Sequence, residues 1–230
     1  MLPNVPDDDP HADIWRLRRR TFGILMKHLM IDRQAWALDL GAGNCWLSHH
    51  LALAGYRVLA LDINVEGQDS LSGGRVYLEK AENGFLRGQA SMEHLPVHDG
   101  CMTLCVVSAA CHYVNVSAVL KSVFDVLRPG GKLIIMDSPV YRDNASGMQM
   151  MQKQLARFKS QYGLDEVPVE GTGYLVFDEI VAALNRAGFR TTIHWPERPG
   201  ALFLRRLLRP TSMHREQARF PLFVGTKPLS

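Results

Sequence analysis

Ala37-Leu38-Asp39-Leu40-Gly41-Ala42-Gly43-Asn44-Cys45-Trp46, followed by Leu59-Ala60-Leu61-Asp62, decides the fold. An apolar run ends in an acid, a Gly-x-Gly turn follows, and a helical pattern leads to a second apolar run that ends in another acid, Asp62, about twenty residues after the turn. A βαβ unit presents a nucleoside in this way: the glycines let backbone approach the ligand, and the second acid takes the ribose hydroxyls. Asp39 turns the reading away from dinucleotides, because a carboxylate inside the strand end repels a pyrophosphate. A nucleoside bearing a cationic ammonium or sulfonium tolerates it.

The flanking sequence extends the unit. The spacing of Ile14, Leu17, Phe22, Leu25, Met26 and Leu29 predicts a helix over 13–29, with Arg16, Arg18, Arg19 and Arg20 on another face. Strands are predicted at 35–40, 57–62, 85–90, 103–108, 132–137, 190–195 and 220–225. Helices are predicted at 44–54 (closed by Gly55), 116–127, 146–162 and 176–187 (closed by Gly188). The unbroken apolar run at 103–108 suits a strand buried on both faces. Arg128-Pro129-Gly130-Gly131 predicts a sharp break. This alternation makes an α/β fold: a Rossmann-like, doubly wound, mostly parallel sheet, whose final two strands have no full helix between them and can pair antiparallel at one edge. Its ligand belongs beyond the strand C-terminal ends, at the switch in strand order.

Composition sets bounds. The 230 residues are 47% hydrophobic and 21% charged, ordinary for one globular domain with a full core. That domain is placed at 13–230, behind a short disordered leader at 1–12 that lacks the order of a signal peptide. No apolar run reaches the ~18 residues of a membrane span, so a cytoplasmic location is expected. The net charge of +3 demands no nucleic-acid partner. The cysteines, Cys45, Cys101, Cys105 and Cys111, are read as free thiols. A zinc set of His94, His98, Cys101 and Cys105 is weighed against core packing, and no metal is assigned.

Four stretches in order, LDLGAGNCWL (38–47), LALDIN (59–64), GQASMEHLPV (88–97) and VLRPGGKLIIMD (126–137), resemble the class I S-adenosylmethionine-dependent methyltransferases, in particular a small-molecule, quinone-biosynthesis-like branch. The resemblance covers roughly 35–137. It implies a seven-stranded sheet with the last strand inserted antiparallel, and S-adenosylmethionine as cofactor, converted to S-adenosylhomocysteine. Asp39, Gly41, Ala42 and Gly43, with Asn44 and Trp46 at the helix start, would hold the methionine part. Asp62 would bind the ribose and Ile63 would pack on adenine. Ala90, Ser91 and Met92 would border the adenine edge, and Ser108 would lie near the donor methyl. Relatives often carry an acid where Gln89 or Ser91 stands, and Phe-Asp where Met102-Thr103 stands.

The acceptor side is read from placement. Methyl transfer is an in-line displacement in which the protein supplies alignment, desolvation and, for a hydroxyl or protonated amine, a base. His112 and Tyr113 follow the fourth strand, and Tyr141 with Arg142 follows the fifth. His112 reads as a general base or as pocket lining, and Tyr141 and Arg142 as substrate contacts or scaffold. The variable segments, about 138–176 and 196–219, are where an acceptor is chosen. The Met148, Met150, Met151 helix roofs that pocket or simply packs. Arg205, Arg206, Arg209, Arg215 and Arg219 make the tail basic. An RNA methyltransferase is the alternative they raise, and interleaved Leu202, Phe203, Leu204, Leu207 and Leu208 favour a snorkelling amphipathic segment instead. A nicotinamide-dependent oxidoreductase and a catalytically silent S-adenosylmethionine-binding partner protein are the other readings. The sequence leaves the oligomeric state open.

Overall fold

The computed structural model of the protein describes residues 2–29, 35–78, 84–163, 171–196 and 216–229. The expected amphipathic segment at 201–209, and Arg205, Arg206, Arg209 and Arg215 with it, lies outside them.

The chain runs α1 (Ala12–His28), β1 (Trp36–Leu40), α2 (Trp46–Leu53), β2 (Arg57–Asp62), a 3-10 turn at Leu71–Gly74 leading into α3 (Arg75–Leu78), β3 (Leu86–Gln89), β4 (Met102–Ser108) and a 3-10 turn at Cys111–Tyr113. It continues with α4 (Val116–Val126), β5 (Leu127–Met136), β6 (Val140–Tyr141), α5 (Asn144–Tyr162), β7 (Leu175–Val176), α6 (Phe177–Arg186), β8 (Arg190–His194) and β9 (Leu222–Thr226). Seven strands form one sheet in the order β3-β2-β1-β4-β5-β9-β8. β1 to β5 are parallel to their neighbours, while β9 lies between β5 and β8 and is antiparallel to both. The expected sheet is therefore present, with its last strand inserted rather than appended. Strand order reverses at β1, so the crevice for a ligand opens between β1 and β4.

Period-two alternation sorts the strand residues onto two faces. Leu38 and Leu40 of β1, Cys105 and Val107 of β4, and Leu133 and Ile135 of β5 join one buried cluster with Leu120 and Val123 of α4 and Ile180 and Leu184 of α6. Ala37, Leu104, Val106, Ile134 and Met136 join the other, with Leu25 of α1 and Leu47 and Leu51 of α2. Each of these large side chains contributes about 1.5–3 kcal/mol by leaving water. Both faces are covered, which explains why β1 and β4 read as continuous apolar runs.

The structure departs from the sequence reading in three places. β5 begins at Leu127, five residues early: Met102 pairs with Leu127 and Leu104 with Lys132, so Arg128-Pro129-Gly130-Gly131 is a bulge within the pairing rather than a break before it. The bulge is tied down because Gly130 N donates to Lys227 O and Lys227 N to Gly131 O. β6 and β7 form a separate two-stranded parallel sheet, Val140 with Leu175 and Tyr141 with Val176; two-residue strands leave no period to read. In α1 the expected apolar stripe is buried only in part: Ile14 is 51% and Met26 40% exposed, while Leu25 and Thr21, which shares its spacing, face the core. At the start of the chain, Pro3 is buried, and Leu2 packs on the core with its carbonyl accepting from His50 Nε2 at 2.8 Å.

Candidate functional site

The turn after β1 is strapped to the end of β2. Gly41 N and Ala42 N both donate to Leu61 O, at 2.8 and 3.1 Å. Gly43 N donates to Asp62 Oδ2 and Asn64 N to Asp62 Oδ1, each at 2.8 Å. Asp62 is thus held in one rotamer at the strand end with lone pairs left on both oxygens, since a carboxylate accepts about four bonds. Ile63, beside it, is 63% exposed, an uncovered apolar surface next to a fixed carboxylate. Gln89 Nε2 donates to Ile63 O, which orients the Gln89 amide at the same edge. Ala90 N donates to Asp62 O, and Ser91 Oγ accepts from Glu93 N.

Gly41 is required by close approach. Its φ is +67°, and a Cβ there would lie 2.5 Å from Ala110 Cβ and 3.1 Å from Met92 Cε. The turn after β1, the loop after β3 and the loop after β4 converge on that point. A fixed acid, an exposed apolar neighbour and a glycine where three loops meet fit an adenosyl ligand.

Asp39 is 1% exposed and accepts from Ser48 Oγ at 2.6 Å. Burial pushes its carboxyl up to about 6, against the opposing effect of the Ser48 bonds. Asn44 Oδ1 accepts from Trp46 N at 3.3 Å and so serves the start of α2, where Cys45 takes a left-handed φ of 61°. Trp46 is 6% exposed, with Trp15 and Phe22 of α1 edge-on against it at 5.6 and 5.7 Å. Its side chain is therefore spent on the α1–α2 contact.

Past β4 and β5 the chain is strained. Ala109 and Asp137 are left-handed, at φ 54° and 61°, and with Cys45 they put three non-glycine residues in that conformation at one edge of the sheet. Such strain gathers at functional edges. Asp137, 6% exposed, accepts from Thr21 Oγ1 at 2.6 Å and from Ser108 Oγ at 3.0 Å. Burial raises its pKa, while Thr21, the charge of Arg18 and Ser108 oppose the rise.

His112 is 6% exposed and its Nδ1 lies 3.0 Å from Ser138 Oγ. Burial pushes its pKa down to about 4, so the ring is neutral at neutral pH rather than poised near its ordinary value. Tyr113 lies against it, ring centres 3.9 Å apart, and remains 43% exposed. Tyr141 is 1% exposed and packs edge-on with Tyr174. The structure thus joins His112, Tyr113 and Ser138, and it buries Tyr141 against Tyr174 rather than presenting it to a ligand. His112 also lines a cavity of about 350 Å³ with Val116, Asn144, Tyr174, Glu179 and Arg186.

The segment before β7 grips the turn after β4, and nothing in the sequence reading foresaw it. Gly171 N donates to Tyr113 O and Gly173 N to His112 O. A Cβ on Gly171 would lie 2.4 Å from His112 O and 2.6 Å from Tyr113 C. Gly171→Ala is therefore expected to destabilise by about 1–3 kcal/mol through overpacking and to lower Tm by roughly 2–12 °C. Differential scanning calorimetry of the variant checks this. The Gly-Thr-Gly triplet was the available signal, but its partner lies some sixty positions away. Thr21 was equally visible as a lone polar residue in an apolar stripe, and its partner Asp137 is 116 positions away. Among the described residues, no three of His, Cys, Asp and Glu stand together as metal ligands, and Cys45, Cys101, Cys105 and Cys111 are unbonded.

Comparison with known proteins bears on the fold and the family. The family described as "Methyltransferase domain" matches residues 38–135, the span from β1 through β5. The chain is 24% identical over 194 residues to malonyl-[acyl-carrier protein] O-methyltransferase of Pseudescherichia vulneris, covering 76% of this chain and 71% of that one. Its fold is similar to that of the YcgJ protein of Bacillus subtilis (TM-score 0.65, 16% identity, 91% of this chain and 99% of that chain). It is also similar to geranyl diphosphate methyltransferase solved with geranyl diphosphate and sinefungin (TM-score 0.63, 14% identity, 96% and 84%). Together, the order of the motifs, the sheet with its inserted antiparallel strand and the family match support a class I S-adenosylmethionine-dependent methyltransferase.

Proposed function

We propose that this methyltransferase acts on a small-molecule acceptor held by the loops after β4 and β5. The observation that carries the cofactor half is Asp62, fixed by two backbone donors beside the exposed Ile63. Asp62 binds the ribose hydroxyls there, and Ile63 with Ala90, Ser91 and Met92 borders the adenine. Gly41, Ala42 and Gly43 cradle the methionine part, with Asp39 supplying negative charge from below; Asn44 and Trp46 act by shaping the start of α2. S-adenosylmethionine, when bound, supplies the activated methyl group. The chain's own work is to align the acceptor, exclude water and receive a proton where the acceptor has one to lose.

The acceptor half rests on Ser108, His112 and Tyr113, with Tyr141 buried against Tyr174 as scaffold. A neutral His112 accepts a proton without first losing one, although burial leaves it a weak base. His112→Ala is expected to lower turnover on an identified acceptor more than it lowers S-adenosylhomocysteine affinity. If His112 is the base, the acid limb that depends on it, read at saturating S-adenosylmethionine so that protonation of Asp39 near pH 6 does not enter, lies near pH 4. An acid limb near pH 6.5 that vanishes in His112→Ala contradicts this. The names of two relatives, acting on a malonyl group and on geranyl diphosphate, support an acceptor that is small at the reacting end. Among the described residues no helix is long and apolar enough to cross a membrane, in keeping with the cytoplasmic location proposed.

Calorimetric titration with S-adenosylhomocysteine, with NADH as control, tests the cofactor site. Labelled S-adenosylmethionine against panels of small acids, phenols, amines and RNA then tests the acceptor. Transfer to RNA alone, lost steeply with added salt, would replace the small-molecule reading.

A further inference from the structure

We propose that Asp137 is a positioning residue of the cofactor site, fastening helix α1 to the ends of β4 and β5. The inference rests on the proposed placement of the cofactor across those strand ends. Asp137 Oδ1 takes the hydroxyl of Thr21, and Oδ2 takes the hydroxyl of Ser108. Thr21 has no exposed surface, so its bond to Asp137 is shielded from water. One carboxylate therefore links an N-terminal helix, the residue that follows β5 and the last residue of β4.

The position of α1 makes this link consequential. Trp15 and Phe22 of α1 meet Trp46, the first residue of α2, three positions after the Gly41–Gly43 turn. Arg18 lies over Trp15 at 4.8 Å, and its charge acts on Asp137. The helix thus touches two strand-end structures, the turn after β1 through aromatic rings and the end of β5 through Thr21. A shift of α1 disturbs the aromatic contact at the start of α2 and breaks the Thr21 bond to Asp137, which also holds Ser108, together. The left-handed φ of Asp137 aims the side chain back at the helix, and an extended residue in its place would point it elsewhere. Asp tolerates that conformation better than most residues.

The test separates positioning from plain stability. Thr21→Val keeps the shape and removes the hydroxyl; Thr21→Ser restores it; Leu25→Val, one turn further along α1 and fully buried, weakens the helix packing while leaving the link intact. Each variant is titrated calorimetrically with S-adenosylhomocysteine and followed by hydrogen exchange over Ala12–His28 with and without it. Thr21→Val is expected to bind roughly tenfold more weakly, consistent with losing one buried hydrogen bond, and to lose the ligand-induced protection of α1. Thr21→Ser recovers both, and Leu25→Val lowers Tm but binds as the wild type does. Asp137→Asn, which keeps the backbone conformation accessible, is expected to fall between them. Wild-type affinity in Thr21→Val, or an equal loss in Leu25→Val, overturns the proposal. Failure of the wild type itself to bind S-adenosylhomocysteine overturns instead the cofactor reading on which it rests.

Discussion

Asp62→Ala is expected to bind S-adenosylhomocysteine on the order of 100-fold more weakly than the wild type, a loss of about 3 kcal/mol. Two effects act in the same direction. The first is the loss of acceptors for two ribose hydroxyls, each a hydrogen bond to a charged group. The second is local: Gly43 N and Asn64 N lose their partner, so the turn that cradles the ligand is no longer tied to the end of β2. Asp62→Asn divides the two effects, because its one oxygen can keep a backbone donor while the amide nitrogen opposes a ribose hydroxyl. It should fall between Ala and the wild type. Isothermal titration reads both, and circular dichroism guards against simple unfolding. Affinity within threefold of wild type in Asp62→Ala would move the ribose to another acid and unseat the reading of the second motif.

The geometry of the proposed cofactor half was legible because it is local. Asp39, Gly41 and Asp62 lie within 24 positions of one another, and their placement follows from a turn, a strand end and the period of a sheet. The five parallel strands were legible for the same reason: β1 and β4 are continuous apolar runs, buried on both faces. The inserted strand was partly so. Two strands without an intervening helix imply an antiparallel pair, yet only the family resemblance implied the insertion of β9 beside β5.

What escaped was non-local or carried no period. Thr21 meets Asp137 across 116 positions, and Gly171 meets the turn after β4 through backbone atoms alone. No alternation or spacing encodes such pairs. β6 and β7 are two residues each, too short for a pattern. His112 shows the limit from the other side. Its position after β4 was legible, but its burial, which lowers its proton affinity, and its bond to Ser138 come from packing that the sequence does not encode locally.

Asp39→Asn is expected to stabilise the ligand-free protein at pH 7.5 while weakening its hold on S-adenosylmethionine. The carboxyl is held in the core by Ser48, and burial raises its folded pKa to about 6, from 3.8 for an ordinary Asp. The folded state therefore binds the proton more tightly than the unfolded one. The stability this confers is complete below pH 3.8 and is lost as pH rises through about 6. Above that pH the ionised acid costs the fold up to about 3 kcal/mol relative to its neutral form. Asparagine is neutral at every pH and can turn its oxygen to Ser48, so the variant should gain about 1–3 kcal/mol at pH 7.5, or roughly 2–12 °C in Tm, with little difference from wild type at pH 4. His112 acts with the opposite sign. Its folded pKa is depressed to about 4, so its contribution is present above 6.5 and is lost as pH falls. In the wild type the two slopes partly cancel between pH 4 and 6; in Asp39→Asn the His112 slope stands with less opposition, and stability falls more steeply on acidification. Melting curves from pH 4 to 8 test this directly, and a variant less stable than wild type at pH 7.5 refutes it. A buried acid that weakens the empty fold makes sense where the ligand brings a positive charge: the cationic S-adenosylmethionine should lose more affinity in Asp39→Asn than the uncharged-sulfur product S-adenosylhomocysteine does.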